Sequence, residues 1–343
     1  MTPSVLHKSL AGLCTASLAA FALSAQKPEA TSKPASVSGG VLRIWGDPAM
    51  ASVVQSWEDR FRSHHPEARF KTSLMGTDTA MPGLYGGVAD LALFGRESNT
   101  TENDGFLHSL QYKPLQLRLM AGSLDVPGKS YAPVLFVHKG NPLRELTIVQ
   151  LRALFGCGEA AGHVPVWGDL GLGGEWKDRP VHLYIMDTES GTGAFVLHAL
   201  QGDSRKVSWK TVREFSDSRH PDGTIYEAGE QTMDALVRDP YGLAISSLRY
   251  ANGDAEPLSL AATGGSPYVR ATRESLIAGT YPLARMTYVF VNQPPGQAVP
   301  PLVKEFLRFV YSEEGQKVVS DSDGFLPRLS QKGSRTCGAT TGG

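Results

Sequence analysis

The sequence predicts an α/β protein built in two lobes, on three observations. The chain has 343 residues, enough for two ordinary domains. Strand-like and helix-like stretches alternate, which implies mainly parallel sheets with helices on their faces. Two apolar strands, "LQLRLMAGSL" and "YAPVLFVHKG", follow each other without a helix between them. That break suits a passage of the chain from one lobe to the other.

The elements can be taken in order. Residues 1–25 read as a signal peptide: Lys8 gives a basic start, "LAGLCTASLAAFAL" is apolar but too short to span a bilayer, and "ALSA" offers cleavage after Ala25. Leu13 stands where lipid attachment at Cys14 would want a small residue. Residues 26–39, rich in Lys, Pro, Ser and Ala, read as a disordered linker, and residues 331–343 as a flexible tail. "VLRIWG" is a strand, and "PAMASVVQSWEDRFRSHH" an amphipathic helix with Pro48 in its first turn. "ARFKTSLMG", a short helix around "TAMPGLYGG", and the strand "ADLALFG" continue the pattern. After the two uninterrupted strands, "TIVQLRALFG" is a helix capped by Thr147. "VHLYIMD" with "AFVLHAL" forms a further strand–helix unit, "YGLAISSLRY" and "RMTYVFVN" are strands, and "PPLVKEFLRFVYSEEGQKVVSD" is one long helix.

Hydrophobic residues at 41%, charged residues at 20% and a net charge of −1 describe a soluble globular protein with no overall basic field, which argues against a nucleic-acid partner. Once the signal peptide is removed, Cys157 and Cys337 remain, either as one disulfide or as two free thiols. No Cys or His spacing fits a metal site, and no cofactor is called for. "GSLDVPGKS" ends like a phosphate loop, but Gly122 is one residue too far upstream and a strand follows where a helix is required. Ser190 lies in T-E-S-G-T, not in a G-x-S-x-G elbow, and His198 is too far along the same helix to serve it.

Three strand ends deliver small polar residues to helix N-termini: "GDPAMAS" with Asp47 as N-cap, "GTDTAM", and "DTESGTGAF". Each admits two readings, punctuation of a strand-to-helix turn or an anion held by exposed N–H groups and hydroxyls. "ADLALFG" brings Arg96 to the same end, where ligands bind in open α/β sheets. Convergence of the four favours an anion site.

These motifs resemble the periplasmic phosphate-binding proteins of ABC transporters, a branch of the type II periplasmic binding proteins. "GTDTAMPGLYGGVADLAL", "APVLFVHKGNPLRELTIVQLRALFG", "VWGDLG", "ESGTGAF", "YPLAR…TYVFVN" and "EEGQKVV…GFLPR" carry the likeness from about Val41 to Leu329. The resemblance implies a two-lobed fold with a ligand cleft between the lobes. It places residues 40–114 and 251–330 in lobe 1 and residues 115–250 in lobe 2. It further implies capture of a small oxyanion, phosphate first, by a periplasmic monomer that delivers it to an inner-membrane permease. The implied ligand residues are Ser190, Gly191 and Thr192 of the SGT turn, Thr77 with Asp78 and Thr79 beside it, Pro48 and Ala49, and Arg96. Two positions depart from the family pattern: Met186 stands where it has a binding arginine, and Arg96 where it has a buried aspartate. Arg96 is therefore expected to be the main charged contact. The alternatives are an exported phosphatase-like hydrolase on the same fold, or an oxyanion sensor without a transporter.

Overall fold

The computed structural model describes residues 40–155, 165–201, 207, 209–322 and 324–328. The expected signal peptide, linker and tail, and both Cys157 and Cys337, lie outside them. The described residues belong to one unit, Ser36–Gly343.

The first part of the chain alternates as expected: β1 (Val41–Gly46), α1 (Ala51–His64), β2 (Arg69–Ser73), α2 (Thr77–Tyr85), β3 (Leu91–Phe94), α3 (Thr100–Leu110) and β4 (Leu115–Ala121). Then come β5 (Val134–His138), β6 (Glu145–Thr147), α4 (Ile148–Leu154), β7 (His182–Met186), α5 (Gly191–Gln201), β8 (Val212–Phe215), β9 (Ser218–Arg219), β10 (Ile225–Tyr226), α6 (Ala228–Val237), β11 (Gly242–Ser246), β12 (Ala255–Pro257), β13 (Ser259–Ala261) and α7 (Arg273–Ala278). The chain returns through β14 (Met286–Val291) and ends in α8 (Pro301–Val310) and α9 (Glu313–Asp321).

Two five-stranded sheets result, in the orders β2-β1-β3-β14-β4 and β12-β5-β11-β7-β8. They are mixed rather than mainly parallel. β1 runs parallel to β2 and β3, but β14 is antiparallel to both β3 and β4, and β5 is antiparallel to β11 and β12. β5 and β14, which receive the chain after each crossing, run opposite to the β–α strands of their sheets, whereas β4, which leaves for the crossing, keeps their direction.

The sheets also move the expected lobe boundaries. Leu115–Ala121, expected in lobe 2, pairs with β14 in the first sheet, and its Leu119 and Met120 are buried with Val289 and Phe306. Ala255–Pro257, expected in lobe 1, pairs with β5 in the second. The chain crosses between Ala121 and Val134, and again before Met286. The two crossing segments are tied together, since Gly122 N–H donates to Arg285 O at 2.9 Å. A Cβ on Gly122 would lie 2.1 Å from Ser130 O, so only glycine lets the outgoing segment fold back this tightly.

Apolar periodicity accounts for the packing. On α1, Val53, Val54, Trp57 and Phe61 form the buried stripe, and Phe306 of α8 meets Phe61 edge-on at 5.3 Å. Trp57 Nε1 donates to Gly315 O at 2.8 Å. The late helix expected as one piece is two, because Ser312 Oγ accepts from Gly315 N at 3.1 Å and starts α9 afresh. On the other face of the first sheet, α2 and α3 bury Met81, Leu84 and Phe106 against Phe94 and Phe290. Helix α3 was not anticipated; its capping box pairs Asn99 with Glu102.

Candidate functional site

The carboxyl ends of β1, β3 and β7 meet at a cavity of about 360 Å³ between the lobes, whose lining includes Asp47, Arg96, Met186, Ser190, Gly191, Thr192 and Arg285. The position is the one open α/β sheets offer to ligands.

At the end of β1, Asp47 caps the following turn. Its Oδ1 accepts from Ala49 N at 2.8 Å and its Oδ2 from Thr77 Oγ1 at 3.3 Å. Gly95 makes room for this carboxylate: a Cβ there would lie 2.4 Å from Asp47 Oδ2. The backbone N–H of Ala49 is thus already engaged, Pro48 has none, and Ala49 O accepts from Lys129 Nζ. Thr79 Oγ1 donates back to Gly76 O at 2.8 Å. Pro48, Ala49, Thr77, Asp78 and Thr79 all lie near the site but not in the cavity lining, and the side chain from this region that does line it is Asp47.

Arg96 lines the cavity with its fork already committed. Nη2 pairs with Glu102 Oε1 at 2.7 Å and Asp78 Oδ1 at 3.0 Å, while Nη1 donates to Glu97 O and Glu102 Oε2. Burial disfavours its charge, but the hydrogen bonds it donates to Glu102 and the charges of Glu102, Asp78 and Asp47 outweigh that and raise its pKa. Glu102 is itself held by the capping box of α3, so the pair is fixed by the helix.

The SGT turn divides its labour. Ser190 Oγ donates to Asp187 O at 2.5 Å and accepts from Gly193 N at 3.1 Å, which is the work of an N-cap. Gly193 is required there, since a Cβ would lie 2.1 Å from Asp187 O. The first-turn N–H groups of Gly191 and Thr192 have no intrahelical carbonyl to bond, and they sit at the positive end of α5. Thr192 Oγ1 accepts from Arg285 Nη1 at 3.4 Å.

Arg285, whose placement the sequence did not reveal, is the deepest charge of the site, with a side chain only 4% exposed. Besides Thr192 it reaches Glu97 Oε2 from Nη2 at 3.3 Å, and its guanidinium lies over the Phe195 ring at 5.0 Å. Its Nε is buried without a hydrogen-bond partner. Across the cavity, Met186 receives the Tyr131 hydroxyl at 3.3 Å, and Tyr250 donates to Glu227 Oε2 at 2.8 Å. Burial pushes the pKa of both phenols up, and Glu227 adds to the effect at Tyr250. Among the described residues no group of three His, Cys, Asp or Glu could hold a metal ion.

The N-terminus of α5, a buried arginine and the Thr192 and Tyr131 hydroxyls thus converge on one cavity between two α/β lobes. Residues 26–314 match the profile of the PBP superfamily domain. The chain belongs to the PBP superfamily. Along 300 residues it is 31% identical to the phosphate-binding protein PstS of Pseudomonas aeruginosa, over 86% of this chain and 85% of that one. PstS from Borrelia burgdorferi shares the fold with a TM-score of 0.56 at 14% identity, covering 84% of this chain and 98% of that structure. An ABC-type phosphate transport receptor from Vibrio cholerae gives 0.52 at 16% identity, covering 83% and 100%. The two sheets are accordingly the two lobes of a PBP-type binding protein.

Proposed function

We propose that this chain is an exported binding protein that captures a small oxyanion, phosphate first, in the interlobe cleft and hands it to an ABC importer. The observation that carries the reading is the meeting of the α5 N-terminus with Arg285 across the cleft. Free N–H groups, a helix dipole and a buried guanidinium all favour negative charge there. The name borne by the 31% identical relative supports phosphate. Residues 1–25 supply the export signal, and closure of the lobes about the paired crossings at Gly122 and Arg285 traps the ligand.

Catalysis is disfavoured by the partners of Ser190. Its hydroxyl meets a carbonyl and an amide, neither of which can take a proton from it. A thermal-shift panel of phosphate, sulfate and molybdate tests the reading, because a ligand bound by the native state alone raises the melting temperature by mass action. Phosphate is expected to raise it in a dose-dependent way. No shift with any of the three would exclude an oxyanion role.

A further inference from the structure

Arg285 and Arg96 both line the cavity, but they are held very differently. Arg96 is saturated by Glu102 at 2.7 Å and Asp78 at 3.0 Å. The two polar contacts of Arg285, at 3.4 and 3.3 Å, are longer than the roughly 2.7–2.9 Å of a good charge-assisted hydrogen bond, and its Nε has no partner. A guanidinium this deep and this poorly matched is costly, and an arriving acceptor would lower that cost. Its position adds to the case. The backbone carbonyl of Arg285 accepts from Gly122 on the other crossing segment, while its side chain touches Thr192 and Phe195 in one lobe and Glu97 in the other. Any group that draws the fork of Arg285 acts at the seam about which the lobes would move.

Glu97 already occupies part of that fork. Its Oε2 faces Nη2, and its Oε1 accepts from Met286 N at 3.2 Å, which anchors the carboxylate beside the crossing. Building on the oxyanion-binding reading, we infer that Arg285 is the charged contact of the bound oxyanion, and that Glu97 is the internal carboxylate with which the oxyanion competes for it. Two anions on one guanidinium repel each other, so Glu97 weakens capture and sets the affinity below what Arg285 alone would give. A glutamine at 97 keeps an oxygen for Met286 N–H and removes the competing charge.

The two partners of this ion pair therefore have opposite effects on binding. Isothermal titration with inorganic phosphate is carried out on the wild type, Glu97→Gln, Arg285→Gln and Arg285→Lys, each melted without phosphate to check folding. Glu97→Gln is expected to tighten binding about five- to tenfold. Arg285→Gln is expected to weaken it about thirtyfold or more. Arg285→Lys keeps the charge but not the fork, and is expected to weaken it as well. A pair that merely braced the fold would lower the melting temperature of both variants and shift the dissociation constants in the same direction, or not at all. Either pattern, with wild-type binding intact, overturns the inference and leaves the oxyanion reading standing. Should Arg285→Gln fail to fold, Glu97→Gln decides alone: absence of tightening overturns the inference. A folded wild type giving no heat with phosphate or sulfate overturns the oxyanion reading, and the inference falls with it.

Discussion

Ser190 and Thr192 are two residues apart on one turn, yet their hydroxyls are predicted to fail differently when removed. Ser190 spends its one hydrogen on Asp187 O and its lone pair on Gly193 N–H. Ser190→Ala therefore deletes an N-cap, at a cost of about 1 kcal/mol in stability. That corresponds to about 2 °C in melting temperature for a protein of this size. The Thr192 hydroxyl accepts from Arg285 and hydrogen-bonds the Tyr131 phenol at the wall of the cavity, so a ligand that enters can take over its hydrogen from Tyr131. A hydrogen bond to a charged partner contributes about 1.5–3 kcal/mol, so Thr192→Val should weaken phosphate binding by about 12- to 150-fold. Its effect on stability should be the smaller of the two. Titration calorimetry and thermal melts on both variants make the comparison. Equal losses of affinity would show that the Ser190 hydroxyl abandons its cap to serve the ligand. Unchanged affinity in Thr192→Val would refute the reasoning outright.

Three further outcomes follow from the packing. Gly229→Ala puts a Cβ 2.3 Å from the Tyr250 ring, so the ring must leave Glu227, and overpacking should cost about 1–3 kcal/mol by urea denaturation; a neutral result would mean that this wall of the cleft is loose. Trp57→Ala empties a fully buried site and orphans Gly315 O, with an expected loss of about 3–5 kcal/mol in the same assay. Burial raises the pKa of Glu58 more than its contacts with Thr72 and Arg62 lower it, so its charged form is penalised in the folded state at neutral pH. The penalty fades as pH falls through the folded pKa and is gone below the unfolded one. The stability of the wild type relative to Glu58→Gln should thus improve between pH 7 and pH 4; a constant difference in denaturation midpoint would exclude burial as the controlling cause.

What could be read in the sequence was local. Strand and helix periodicity, the Thr147 cap and the strand-end turns depend on neighbours within a few residues, and the SGT turn is found where its motif suggests. The capping signal at Asn99 and Glu102 was equally local but went unread, and with it the carboxylate that commits Arg96. Ser312 starts a new helix inside a run of good helix formers, which hid the break. Arg285 was visible in "YPLAR", but its role depends on Thr192 and Glu97, which lie 93 and 188 residues away in sequence. Strand direction beside the crossings is likewise set by where the chain returns from, and no local pattern encodes that. Charge in a site is legible one residue at a time; its neutralisation is not.

Equilibrium dialysis of the mature protein against labelled phosphate tests the central claim most directly. The account predicts saturable uptake approaching one phosphate per chain, with occupancy lost in Thr192→Val at concentrations that saturate the wild type. Retention no greater than that of an unrelated protein, at millimolar phosphate and with the chain folded, would contradict it.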